Sequence, residues 1–266
     1  RIGKSSSSRE RLPASAVRLV LNPPWCDDGG KVVDDGTVSR LDEGTFRLTS
    51  AEPNVRWLQL SARGMQVDIA DVSESTGALA LQGPLSRAIL EQLVPAESLH
   101  ALRYFRLMHA RIRDVPVTIT RTGYTGDLGY EIWVGARRAL PVWDALMAAG
   151  RDYGIVPAGI WALDIARIEA GLIMLDGDYF SPHHAMIPDQ LSTPYEINLG
   201  WTVSEKKGPF TGQRALRVEK LRGPSWAFVG LEIDWVSFEK LHQERGLAPH
   251  LPNVAWRASA PLLRGG

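Results

Sequence analysis

Polar residues whose types and spacing suit chemistry fall in three places along the chain. In GKVVDDGTVSRL (residues 30–41), Asp34, Asp35 and Gly36 occupy the centre of a run that otherwise reads as a β-strand. Asp-Gly is a frequent type I′ hairpin turn, which makes these acids turn or bulge residues. A glycine inside a strand also marks a close approach by another group. In YEIWV, Glu131 falls on the face opposite Tyr130 and Ile132, next to Trp133. A carboxylate beside an aromatic ring can hold a cationic or amidine-like edge; on a solvated face it would instead pair across strands with Arg121. Arg167 follows Asp164 by three residues in a helical pattern, the spacing of a local ion pair worth roughly a few tenths of a kcal/mol.

Other chemistries lack their residues. His183 and His184 are adjacent, and the remaining four histidines have no metal-ligand spacing, so the pair reads as loop or helix-cap histidines and no metal site is expected. GYTGDLG has glycines but neither the spacing of a phosphate loop nor a helix after it, and no nucleophile elbow occurs. The single cysteine, Cys26, cannot form an internal disulfide, and the two acids after it disfavour a thiolate, so it reads as inert. Such cysteine usage suits a reducing compartment. Thirty basic residues against thirty acidic ones leave no net field that would recruit nucleic acid or an anionic membrane, and neither partner is expected.

These residues must be held by a core, and with 44% hydrophobic and 23% charged residues the composition is that of a soluble globular protein. From Val17 to Thr49 the pattern predicts a three-strand meander, VRLVLN, KVVDDGTVSRL and TFRLTS, closed by CDDGG and DEG. QGPLSRAILEQLV predicts a helix burying Leu85, Ala88, Ile89 and Leu93, and residues 115–135 predict a hairpin with a glycine-rich loop. LPVWDALMAAGRDYG and IWALDIARIEAG predict two helices, the second closed by Gly171. GDYFSPHHAMIPDQLSTPYE is loop-like, and LGWTVSEKKGPFTGQRALRVEKL predicts a strand, a turn and a helix. A boundary at RGPSW separates residues 1–222 from 223–266, where AFVGLEIDW predicts a strand. Strands and helices mix without regular alternation, which favours an α+β fold. No run of apolar residues is long enough for a bilayer, RIGKSSSSRER lacks a signal-peptide core, and both ends read as cut. The expected localisation is cytoplasmic, with the mitochondrial matrix left open by the missing N-terminus.

GGKVVDDGTV, LALQGP, RTGYTGDLGYEI, ALDIARIEAG, TPYEINLGW and FTGQRAL, in that order over residues 17–222, together resemble the aminomethyltransferase family, the T-protein of the glycine cleavage system and its folate-dependent relatives. The resemblance implies an α+β fold of mixed, mainly antiparallel sheets with packed helices, followed by the start of a C-terminal β-barrel. It implies a tetrahydrofolate pocket in which Asp34 faces the reacting nitrogens as the catalytic acid. Glu131 takes the 2-amino and ring N–H edge of the pterin, a bidentate match. Tyr124 lines the pocket and Arg167 is its arginine. The partner is a small-molecule one-carbon donor or a lipoyl carrier protein. A fixed carboxylate can stabilise the partly cationic carbon in transfer and relay a proton.

Departures concentrate on the donor side. The family's helix usually carries Arg-Asp before its leucine-rich segment, where this chain has IWALDIARIEAG. The short linker before LGW is replaced by LDGDYFSPHHAMIPDQLSTPYE, and Ala51 stands where an asparagine is often found. They leave open a demethylase acting on a small N-, S- or O-methyl compound. A non-catalytic folate-binding accessory protein is disfavoured, because KKGPFTGQRAL lacks the reactive cysteine of such relatives.

Overall fold

The computed structural model describes residues 20–204, 206 and 208–249, so the first residues of the predicted VRLVLN strand and the apolar stretch after residue 249 lie outside it. Four antiparallel strands form the main sheet: β6 (Thr76–Gln82), β7 (Leu107–Ile112), β8 (Val115–Thr120) and β9 (Gly129–Gly135), in the order β6-β9-β8-β7. The period-2 pattern sends Val115, Val117 and Ile119 of β8 and Tyr130, Ile132 and Val134 of β9 to one face. There they pack with Ile89 and Leu90 of α2 (Ser86–Glu91), Leu99 of α3 (Ala96–Ala101) and Val142, Ala145 and Leu146 of α4 (Ala139–Gly150). The opposite face carries Thr118, Thr120, Glu131 and Trp133, paired as Thr118↔Trp133 and Thr120↔Glu131. Leu85, expected inside, is exposed: it is the N-cap of α2, which spans only Ser86–Glu91 of the expected 82–94.

The predicted meander forms differently. Of its first strand, VRLVLN, the described part forms β1 (Val20–Leu21), and a separate, unexpected β2 (Pro24–Cys26) follows at Pro23 and Pro24, which lack backbone donors. Its second is split into β3 (Val32–Asp35) and β4 (Val38–Arg40). β2 and β3 make a two-stranded sheet with a bulge after Trp25, while β4 lies between β1 and β5 (Phe46–Leu48) in a separate three-stranded sheet. The chain therefore changes sheets at Gly36. Neither Asp35 nor Gly36 has a positive φ, which rules out the type I′ turn. A Cβ on Gly36 would lie 1.9 Å from the Thr49 carbonyl oxygen, so the glycine serves a close backbone approach. Gly36→Ala is expected to cost about 1–3 kcal/mol through overpacking. Thermal unfolding should show this as a lowered Tm; an unchanged Tm would mean that the Thr49 backbone moves aside freely.

A second core joins Cys26 and Val32 to Leu175, Tyr179, Ile197 and Leu216. The stretch read as loop-like is irregular but packed: Val32 N–H donates to the Ser192 carbonyl at 2.8 Å. Thr193 Oγ1 donates to Glu219 of α6 (Gln213–Arg222) at 2.6 Å. α5 (Ile160–Glu169) forms as predicted and is followed by Gly171 at φ 71°. Two expected strands are not found among the described residues: LGWTV forms a short helical turn over Gly200–Thr202, and residues 226–234 have no strand partner. They lead instead into α7 (Trp235–Gln243), capped by Asp234, which accepts from Ser237 N–H at 3.2 Å. No described helix is long and apolar enough to cross a membrane.

Candidate active site

The kink at Gly36 leaves Asp34 and Asp35 on opposite faces of β3. Asp34 is 0% exposed. Its Oδ1 accepts from the Asp35 N–H at 2.8 Å; its Oδ2 accepts from the Glu52 N–H at 3.1 Å and from Asn54 Nδ2 at 2.7 Å. Burial pushes its pKa up to about 6 against the pull of these donors, and the charge of Asp35 pushes in the same direction. Asn54, at the N-terminus of α1 (Val55–Ser61), is itself buried. An asparagine therefore does reach the candidate acid, three residues after the Ala51 that sequence comparison pointed to. Directly across the sheet from Asp34 stands Trp25. Its indole Nε1 is buried and donates to nothing.

Asp35 is more than part of a bend. Tyr179, from the irregular stretch, donates its hydroxyl to Asp35 Oδ1 at 2.5 Å. Burial raises the Asp35 pKa, and burial together with the Asp35 charge raises that of the Tyr179 hydroxyl. Tyr124 and Arg167 belong to the same cluster: the Tyr124 hydroxyl donates to the Ile173 carbonyl, and its pKa is raised by burial and by Asp35 and lowered by Arg167. Arg167, almost fully buried, donates from Nε to Asp164 at 3.3 Å and from Nη1 to the Leu172 carbonyl at 3.2 Å and to the Asp178 carboxylate. The glycine-rich loop can lie against α5 because a Cβ on Gly126 would meet Ala170 Cβ at 2.6 Å. That contact ties the GYTG loop to the EAG end of the helix.

Glu131 occupies a separate part of the site. Its Oε2 accepts from Thr122 Oγ1 at 2.7 Å and from Thr120 Oγ1 at 3.2 Å. Arg121, between those threonines, points the other way and donates to the Leu102 carbonyl at 3.2 Å, so it is not the cross-strand partner of Glu131. The cation near Glu131 is Arg47 of β5, whose guanidinium lies 4.0 Å from the Trp133 ring centroid. Arg47 Nε and Nη2 are buried without a hydrogen-bond partner. Trp25 Nε1 and these two nitrogens are the buried side-chain polar atoms left unpaired among the described residues. Native interiors leave few such groups, and each calls for a physical reason. Here one, Trp25 Nε1, belongs to the residue paired with Asp34, and two belong to the arginine nearest Glu131.

His184 is not merely a loop histidine. Its Nδ1 lies 3.1 Å from Asp176 Oδ2 and its Nε2 3.7 Å from Glu52 Oε2. Glu52, Asp176 and His184 thus bring one ligand atom each within 4.8 Å of one another, a grouping that could hold a cation although exposed acids often lie together without one. Spacing could not reveal it, since Glu52 is remote in sequence.

Comparison with known proteins shows the family. The family model for the GCVT N-terminal domain matches residues 12–207. The chain belongs to that family. The GCVT domain match contains every site residue described above. An aminomethyltransferase of Halothermothrix orenii is 35% identical over 80% of this chain and 58% of its own length. A trimethylamine-oxide aldolase of Ruegeria pomeroyi is 38% identical over 81% of this chain and 28% of the relative. The crystal structure of the glycine cleavage system aminomethyltransferase T from Bartonella henselae superposes with a TM-score of 0.64 at 26% identity, covering 79% of this chain and 55% of that one. The antiparallel sheets and packed helices of the GCVT domain are thus those of the aminomethyltransferase fold, and the chain spans little more than half the length of the aminomethyltransferases cited.

Proposed function

We propose that the chain is the folate-binding part of a tetrahydrofolate-dependent one-carbon transferase that moves an aminomethyl or methylene group. The observation that carries this reading is the pair of acids: Asp34 is flanked by Trp25 Nε1 and Glu131 by Arg47 Nε and Nη2, buried donors without a hydrogen-bond partner among the described residues. Tetrahydrofolate, when bound, supplies the nitrogens that take up the one-carbon unit. Asp34 is the catalytic acid: a carboxylate fixed by three donors, with a pKa near 6, is mostly ionised at neutral pH yet close enough to it to hold and release a proton. Its fixed charge also stabilises positive charge developing on the carbon. Glu131 binds the 2-amino and ring N–H edge of the pterin, its orientation set by Thr120 and Thr122. Tyr124 and Arg167 form the wall on the Asp35 side. A small-molecule donor or a lipoyl carrier protein brings the one-carbon group.

Glu131→Ala removes a charged hydrogen-bond acceptor and is expected to weaken tetrahydrofolate binding at least about tenfold. Titration calorimetry on the complete protein checks this, and an unchanged affinity would sink the pterin assignment.

A second reading, demethylation of a small methylated compound, is favoured by one feature. Asp176 and His184 of the irregular stretch close against Glu52, whose backbone N–H holds Asp34. The donor side of the catalytic acid is therefore built from the segment that departs most from the glycine cleavage pattern. Incubating the complete protein with tetrahydrofolate and candidate donors separates the readings. Mass spectrometry would show whether methylene- or methyl-folate forms and which donor is consumed.

A further inference from the structure

Arg47 presents an arrangement that folding alone does not explain. β5 carries it from the three-stranded sheet onto the face of the main sheet that bears Glu131 and Trp133, against Trp133. Burial lowers its pKa to about 10 while the Glu131 carboxylate opposes the shift, so the guanidinium remains charged at neutral pH. The stack on Trp133 is a favourable cation–π contact, but it satisfies no N–H. Nε and Nη2 are buried and donate to nothing, Glu131 included. Leaving a charged donor buried and unpaired opposes folding. Such a group is retained when something that binds the folded chain completes it. Glu131, an acceptor, and Arg47, a donor, thus lie together beside one tryptophan.

We propose that Arg47 is a ligand-binding residue that reads the carbonyl at C4 of a 2-amino-4-oxo heterocycle, next to the N–H groups taken by Glu131. This rests on the folate reading above. The adjacent 2-amino, ring N–H and C4 oxo groups of such a ring present donor, donor, acceptor. A carboxylate matches the first two and a guanidinium N–H the third. A ring with an amino group at C4 would set donor against donor at Arg47. The residue therefore confers selectivity for the oxo form as well as affinity.

The test compares two ligands, tetrahydrofolate and its 4-amino counterpart tetrahydroaminopterin, by anaerobic titration calorimetry on the complete protein. They differ at C4 and, with it, in the hydrogen on N3, so each ligand is read as the change from parent to variant, in which the difference at Glu131 cancels. Arg47→Met is expected to weaken tetrahydrofolate about 10–100-fold, as for a lost charged hydrogen bond. The 4-amino ligand should weaken by less than about threefold, because it makes no such bond in the parent. The Tm of the ligand-free variant should be no lower than the parent's, since the lost N–H groups were unpaired. Equal weakening of both ligands with a lowered Tm would assign Arg47 to the scaffold and overturn the proposal, as would unchanged affinities. If Arg47→Met does not fold, Arg47→Lys decides by the same comparison: reduced preference for the oxo ligand supports the assignment and unchanged preference overturns it. A folded parent that binds neither ligand overturns the folate reading and this inference with it.

Discussion

Asp34→Asn is expected to lower turnover by about 10²–10⁴-fold while holding tetrahydrofolate within about threefold of the parent affinity. The substitution keeps the side-chain volume and one oxygen for the surrounding donors, and removes the negative charge and the proton acceptor. Those are the two properties that a transferred one-carbon unit would use. The pH profile gives a second readout. With the pKa pushed up to about 6, the carboxylate form fills as pH rises through that value, so kcat/KM should climb below pH 6 and level off above it. In the variant that limb should disappear. The same shift bears on stability, with a definite sign. The folded chain holds the proton to higher pH than an unfolded chain titrating near 3.8, so the group's contribution to stability is full below that value and is lost as pH rises to about 6. By pH 7 the loss is on the order of 3 kcal/mol. Burial at this position opposes folding above the ordinary carboxylate range, and on the proposed reading it serves reactivity. Near-parental turnover in Asp34→Asn would remove the catalytic assignment.

The elements that position this acid were legible in unequal measure, for physical reasons. The 115–135 hairpin follows from strict alternation of Val115, Val117, Ile119, Tyr130, Ile132 and Val134, a pattern that neighbouring strands cannot override because one face is buried. The meander was not legible in detail. Its first strand ends before Pro23 and Pro24, which withhold donors, and its second breaks at Gly36, whose reason lies at Thr49, thirteen residues away in the chain. AFVGLEIDW alternates as a strand should, yet a strand needs a partner, and among the described residues it pairs with none. Among the proposed site residues, Asp34, Glu131, Arg167 and Tyr124 were singled out through the motifs that carry the family resemblance. Asn54, Trp25, Arg47 and Tyr179 were not, because their types are ordinary for their elements. What distinguishes Asn54 and Tyr179 is a partner distant in sequence, and what distinguishes Trp25 and Arg47 is the lack of one. The SAEPN segment held the one clue, an asparagine close after the position where the family places its own.

The fold's largest expected loss lies at Arg167. α5 is inverted relative to an ordinary surface helix: Asp164 and Arg167 are buried, while Ile160, Trp161, Ile165 and Ile168 are exposed. Ionic and hydrogen-bonded contacts, not an apolar face, therefore hold this helix in place among the described residues. The local ion pair expected from spacing is there, but it is buried, and Arg167 also binds Asp178 and the Leu172 carbonyl. Exposed pairs of this spacing contribute little; a buried pair that loses one partner leaves an uncompensated charge, at a cost of about 3–5 kcal/mol. Arg167→Met is accordingly expected to lose about that much in urea unfolding, a large share of the roughly 5–15 kcal/mol typical of a domain. Adding Asp164→Asn should recover part of the loss, because the damage comes from a buried carboxylate that has lost its guanidinium and not from missing volume. Arg167→Lys separates support from recognition. It keeps the charge but not the planar fork, so it should fold yet loosen the wall beside Tyr124. If Arg167→Met proved as stable as the parent, the network would not be what anchors α5. The inward charges would then have to be explained by the ligand alone, with Arg167→Lys costing affinity without costing Tm.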